Sequence, residues 1–253
     1  MPQVLDPVVH VEPVMGTVVS FHVHDVANGT DVPIAIEAAC ERIHGLAASL
    51  TLWDPASPMS RLRAGELDLA DAPEELRTVL TLCWVATLTS GGWFDPWSMP
   101  GGVDPTGLAK GWILEQAIAE LRAHGVRAAM VNGGGDVALL GTPRGQDTWR
   151  IGIQHPWRSD AMAAVLQVRD AVATSGSYER GAHLIDPFSG RPAVVAGSAT
   201  VVGTSLAMAD ALATGLAVGG DEVLALVDRL EGYEGYLIRA DGTEASTAGI
   251  CFA

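Results

Sequence analysis

The sequence predicts an α+β fold in which mixed or antiparallel sheets pack against helices. Two observations carry that prediction. Short alternating apolar runs and longer runs of helical spacing both occur along the chain, and they do not follow each other in a regular βαβ rhythm.

Residues 8–24 alternate on either side of a Met15–Gly16–Thr17 break, which predicts two short strands. From Val32 to Leu52, Ile34, Ala38, Ile43 and Leu46 recur at helical spacing, and Asp31 stands where a cap belongs. Trp53 to Ala72 is rich in Pro, Ser and Asp and predicts a loop. Ala72 to Ser90 predicts a second helix, with Pro73 in its first turn and Gly91–Gly92 at its end. The Gly- and Pro-rich stretch Ser90–Gly107 fits neither element. Leu108 to His124 predicts a helix stopped by Gly125. A strand at Ala128–Val131 leads into Asn132–Asp136, and Val137–Leu140 continues extended. Further strands are expected at Trp149–Gln154, Ala163–Val168, Ala171–Thr174 and Ser198–Val202. Helices follow at Leu206–Val218 and Glu222–Leu230, and a closing hairpin at Tyr233–Ala240 and Glu244–Phe252 turns at Asp241–Gly242. No repeat or low-complexity linker divides the chain, so residues 1–253 are expected to form a single domain.

Hydrophobic residues make up 48% and charged residues 18% of the 253, a balance that excludes disorder for most of the chain. Thirty acidic residues against 15 basic ones give a formal charge of −15, which opposes a nucleic-acid backbone. The same field opposes any anionic ligand. A site for one needs a divalent cation, a local basic residue or converging N–H groups. Cys40, Cys83 and Cys251 are too few and too far apart for a disulfide framework or a CxxC metal site. The first residues lack the pattern of a secretory signal, and no apolar run approaches the roughly 20 residues that span a bilayer. The expectation is a soluble, cytoplasmic protein without a transmembrane segment.

Four segments carry candidate chemistry. In Asp104–Gly111 small residues open onto a helix start, where Lys110 has the wrong sign for the helix dipole; it reads either as an anion ligand or as a surface lysine. Asn132–Asp136 holds three consecutive glycines, which serve close ligand approach or a tight turn. In Ala173–Pro192, Thr174, Ser175 and Gly176 offer hydroxyls and free backbone to a phosphate. There His183 suits proton transfer near neutrality, or a structural role in a hairpin. Asp210 and Thr214 stand four apart, on one helix face, as a hard-oxygen corner for Mg²⁺ or as a simple side-chain pair.

Taken in order, MGT at Met15–Thr17, DPTGLAKGW at Asp104–Trp112, NGGGD at Asn132–Asp136, the Ala173–Pro192 run and Ser198–Gly220 resemble the ApbE family, the FAD:protein FMN transferases. The segment Trp53–Leu62 resembles that family's aromatic-plus-serine loop. The resemblance implies a T-fold-like α+β architecture that binds FAD as substrate in a cleft, with Mg²⁺ on the diphosphate. A Ser or Thr hydroxyl of a target protein then takes the FMN half and AMP leaves. Some members instead hydrolyse FAD, and a non-catalytic flavin carrier is the third reading. Carried over, the resemblance makes Asp210 and Thr214 metal ligands, with a main-chain oxygen at or near Gly107. It puts Met15, Trp53, Phe94, Asp95, Asp104, Lys110 and Ile185 at the FAD, and His183 at the transferred proton. The chain departs from the family pattern at Phe94–Trp97 (FDPW for FDPT) and at Arg63, where Asn often stands.

Overall fold

The computed structural model describes residues 7–176, 184–193 and 196–253. Its strands are β1 (Val8–Val14), β2 (Thr17–Val26), β3 (Val126–Gly133), β4 (Asp136–Leu140), β5 (Trp149–His155), β6 (Arg158–Val168), β7 (Ala171–Ser175), β8 (Ile185–Asp186), β9 (Arg191–Pro192), β10 (Ser198–Gly203), β11 (Tyr233–Ile238) and β12 (Glu244–Ser246). An eight-stranded sheet runs β1-β2-β3-β4-β7-β10-β11-β12. Every neighbouring pair in it is antiparallel, which resolves the mixed-or-antiparallel expectation. The helices are α1 (Val32–Leu50), α2 (Pro58–Arg63), α3 (Glu74–Thr89), α4 (Thr106–Ala123), α5 (Leu206–Gly219) and α6 (Asp221–Val227).

Strand alternation divides the sheet into two faces. Phe21, Val131, Ala138, Ala173 and Val201 point to the helices and share one core with Leu114, Leu121 and Leu212. Val137, Leu139, Val172 and Tyr236 point the other way, into a smaller core closed by the β5–β6 ribbon through Trp149, Ile153 and Leu166. In β4 and β7 the apolar residues are therefore buried on both faces. Helix α4 is buried nearly all round because it lies between α1, α5 and the sheet. Gly133 makes its contact with the sheet possible, since a Cβ there would sit 2.9 Å from Leu114 Cδ1.

Several segments differ from the sequence reading: a 3₁₀ turn at Pro96–Ser98 lies inside Ser90–Gly107, and β6 begins at Arg158, five residues before the expected Ala163. The expected loop Trp53–Ala72 contains α2, begun by Ser57, whose side chain accepts from Ser60 N, with Pro58 in the first turn. The expected last strand ends at Ser246. Beyond it the chain leaves β11 for the ribbon, where Phe252 bridges Leu166 and Gln167 N donates to Cys251 O at 2.8 Å. No helix among the described residues is long and apolar enough to cross a membrane.

Candidate active site

The site lies at one end of the sheet, where the β1–β2 and β3–β4 turns, the end of β7 and the first turn of α4 gather. Helices α4 and α5 meet there through glycine. A Cβ on Gly111 would lie 2.6 Å from the Leu206 carbonyl oxygen, so only glycine admits this approach. A Cβ on Gly107, one turn earlier, would stand 3.2 Å from the Phe94 ring and 3.3 Å from Thr214 Oγ1. Into this narrow space α5 directs Asp210 and, one turn later, Thr214. Asp210 is 4% exposed, and its Oδ2 accepts from Gly111 N at 3.2 Å. Thr214 Oγ1 lies 3.3 Å from Ser175 Oγ at the end of β7. Phe94, Gly107, Ser175, Asp210 and Thr214 are thus brought together.

The helix pair is locked by a residue that the sequence reading passed over. Glu115 on α4 accepts from Leu206 N and, at 3.2 Å, from Ala207 N, so its carboxylate caps the start of α5. Burial holds its pKa above the ordinary carboxylate value, against the lowering by Ser205 and the two amides. The signal was present in the sequence: an acid beside Ile113, Leu114, Ala117 and Ile118, all of them buried, needs a local reason.

Lys110 extends from the first turns of α4 to Asp136, Nζ to Oδ2 at 2.6 Å. Asp136 is 1% exposed, and its Oδ1 accepts from Thr174 N at 3.1 Å. This carboxylate, absent from the expected site, joins α4, β4 and β7. It explains the triple glycine as well. Gly134 and Gly135, with φ of 64° and 97°, make the two-residue turn that starts β4 at Asp136, and Asn132 Oδ1 accepts from Gly135 N at 3.0 Å.

Other expected residues take positions of a different kind. Thr174 shares the face of Val172, and its hydroxyl is buried on the ribbon side, 3.0 Å from Thr200 Oγ1. Alternation therefore corrects the expectation that this hydroxyl faces a phosphate; Thr174 reaches the site through its backbone N–H alone. Asp95 caps the 3₁₀ turn Pro96–Ser98, accepting from Trp97 N at 2.9 Å and from Ser98 Oγ. Asp104 accepts from Thr106 N and Oγ1 at 3.0 and 2.7 Å, at the start of α4. Between them Arg63 donates from Nε to Gly101 O at 2.7 Å and from Nη2 to Pro100 O, so it pins the Pro-rich loop. Trp53 is 93% exposed, a bare aromatic face. Met15 is the single non-glycine residue with positive φ among those described, at 55° in the β1–β2 turn. Ile185 opens the β8–β9 hairpin, whose Phe188 meets the Trp93 ring edge-on at 4.7 Å between centroids. His183 lies outside the described residues.

One carboxylate, two hydroxyls and a glycine backbone in reach form a hard-oxygen corner. Such a donor set fits Mg²⁺, which binds through one or two carboxylates and completes its shell with water and substrate phosphates.

The ApbE family pattern matches residues 97–237, more than half of the chain. The chain belongs to the ApbE family. Curated relatives include an FAD:protein FMN transferase of Rhodobacter capsulatus, 39% identical over 129 residues, covering 47% of this chain and 24% of that protein. That of Vibrio cholerae is 38% identical over 133 residues, covering 47% and 39%. That of Treponema pallidum is 33% identical over 168 residues, covering 58% and 46%. The matches thus span less than half of each relative's length. Among solved structures, flavin transferase ApbE from Vibrio cholerae superposes with a TM-score of 0.83 at 21% identity, over 96% of this chain and 97% of that one. The ApbE protein of Thermotoga maritima gives 0.84 at 21% identity with the same coverage. These likenesses establish the ApbE fold, as the sequence motifs imply.

Proposed function

We propose that this protein is a Mg²⁺-dependent transferase that moves the FMN half of FAD onto a Ser or Thr hydroxyl of a target protein. The observation that carries the reading is the corner of Asp210 and Thr214, set against Gly107 across a gap that a side chain would fill, with Lys110 one turn further along the same helix. Family membership and the FAD:protein FMN transferase names of its relatives support it.

In this reading Phe94 and the small residues of α4 shape a narrow cleft, and Trp53 and Met15 offer apolar surface to the flat rings. Ile185 adds contact from the β8–β9 hairpin. Asp95 and Asp104 position the loop that enters α4. Lys110 and the backbone around Ser175 address the diphosphate. Mg²⁺, held by Asp210, Thr214 and a main-chain oxygen near Gly107, would supply the positive charge that a −15 protein otherwise lacks for a diphosphate. The target hydroxyl oxygen bonds to the FMN phosphorus while its proton passes to His183, assigned on sequence grounds. The phosphoanhydride bond breaks and AMP leaves with that electron pair.

The test is mass spectrometry after mixing the protein with FAD, Mg²⁺ and an acceptor domain that bears a Thr target. One FMN residue gained by the acceptor, and lost with chelator, is expected. Free FMN and AMP without an adduct, across several acceptors, would replace transfer by FAD hydrolysis. FAD that stays bound and intact would leave a carrier.

A further inference from the structure

We propose a second metal site, for a transition ion of the Zn²⁺ class, formed by His10, Glu12, Cys40 and His44 on the outer edge of the sheet. Among the described residues, His10, Glu12 and Cys40 are the one group of three His, Cys, Asp or Glu residues whose ligand atoms converge, all within 4.8 Å of one another. His44 joins them, with Nε2 2.7 Å from Glu12 Oε1. His10 Nε2 stands 3.4 Å from the other carboxylate oxygen.

The secondary structure produces this convergence. His10 and Glu12 are two apart on β1 and share the face turned to α1; Cys40 and His44 are four apart on α1 and share the face turned to β1. Two pairs at the natural spacings of strand and helix meet across one contact. Both rings present Nε2 to the same carboxylate, and a thiol completes the group.

The donor set selects the ion. Two imidazoles, a thiol and one carboxylate suit a borderline-soft, four-coordinate ion and not Mg²⁺ or Ca²⁺, which take oxygen. Around a tetrahedral ion at bond lengths of about 2.0–2.3 Å, neighbouring donors stand roughly 3.3–3.8 Å apart. His10 and Glu12 already have that separation, and the Cys40 donor lies within 4.8 Å of both. The histidines are about half exposed, which leaves the ion a path in. A neutral thiol must lose its proton to bind such an ion. The ion takes the place of that proton, which passes to solvent.

The site is remote from Asp210 in role. It would tie the edge strand β1 to α1, and β1 ends in the turn that carries Met15.

The experiment is a Co²⁺ titration of the chelator-treated full chain in excess Mg²⁺, read by absorbance. One Co²⁺ per chain is expected, with a thiolate-to-cobalt charge-transfer band and tetrahedral d–d bands, both displaced by Zn²⁺. Cys40→Ser should abolish the band, and Cys251→Ser should leave it. His44→Ala, an exposed change that spares folding, should weaken binding by about 100-fold or more. His44→Ala should also keep FAD turnover with Mg²⁺, which separates this site from the flavin chemistry. A missing band at stoichiometric Co²⁺, a band that survives Cys40→Ser, or one lost with Cys251→Ser would each overturn the proposal.

Discussion

Thr174 and Ser175 are neighbours on β7, both small and hydroxylated, and they belong to different halves of the molecule. Ser175 faces the helices and touches Thr214; Thr174 faces the ribbon and touches Thr200. The helix side of this end of the sheet holds a buried acid, a buried ion pair and a glycine-only gap. The ribbon side holds Val, Leu and Trp, with hydroxyl groups among them: the Thr174–Thr200 pair, Tyr236 and Ser198. Polar groups in a core are costly unless paired. Among the described residues, the buried charges gather on the helix face, where the proposed chemistry lies, and the ribbon face carries none.

The sharpest way to break this contrast is one substitution on each face. Asp210→Ala should lower kcat by about three orders of magnitude or more, because the proposed metal corner would lose its carboxylate. Thr174→Val keeps shape and removes one buried hydrogen bond, for about 1 kcal/mol of stability and no change in turnover. Steady-state FAD turnover and melting of both variants decide the matter. Equal losses of turnover would mean that the two faces are not functionally distinct.

The ion pair tests whether Lys110 serves the ligand or only the fold. Lys110→Met leaves Asp136 buried beside an apolar chain, and stability should fall by about 3 kcal/mol. Changing Asp136→Asn in the same chain removes the stranded charge, so the denaturation midpoint should largely recover. FAD affinity should stay weakened in the double variant. Full recovery of affinity would reduce Lys110 to a structural partner of Asp136.

Glu115 gives a smaller effect with a definite pH dependence. Burial raises its folded pKa above the unfolded value, so its contribution to stability is fully present below the unfolded pKa and is lost as pH rises through the folded one. Glu115→Gln keeps an acceptor for Leu206 N and cannot ionise. Its stability should therefore gain on the native protein as pH rises above the ordinary carboxylate range. Glu115→Ala strands the two amides of α5 and should cost about 1–3 kcal/mol at low pH, and less as pH rises. Chemical denaturation at several pH values measures both. A native-minus-Gln difference that does not change with pH would show that burial does not govern this carboxylate.

Much of this was legible in the sequence, for physical reasons. Periodicity exposed β1, β2 and α1, since alternation and helical spacing over such lengths have no other reading, and Asp31 does cap α1 by accepting from Ile34 N. The Asp210–Thr214 pair followed from spacing on one helix. Hidden from the sequence were contacts made across elements. Glu115 caps a helix 91 residues away, Asp136 holds a lysine on another element, and Arg63 pins a loop 38 residues on. Only Glu115 leaves a local sign, as an acid among apolar neighbours, and even that does not name its partner. The sidedness of Thr174 was readable in principle, because Val172 and Thr174 share a parity.

The smallest effect concerns two turns at the same sheet end. Gly134–Gly135 and Met15–Gly16 both make two-residue hairpins with positive φ at both positions. The first uses glycine throughout, as that geometry favours. The second keeps Met15 at 55°, where a side chain costs about 1–2 kcal/mol. Strain of this kind persists where the side chain is needed. Met15→Gly relieves it and loses partial packing against the helix-side core, so the net change in stability should stay within about 1 kcal/mol. FAD affinity should nevertheless fall several-fold if Met15 packs on the flat rings as proposed. Calorimetric binding beside a melting curve separates the two effects. A more stable protein with unchanged FAD affinity would make the strain at Met15 incidental, and the functional face would then end at the α4–α5 gap.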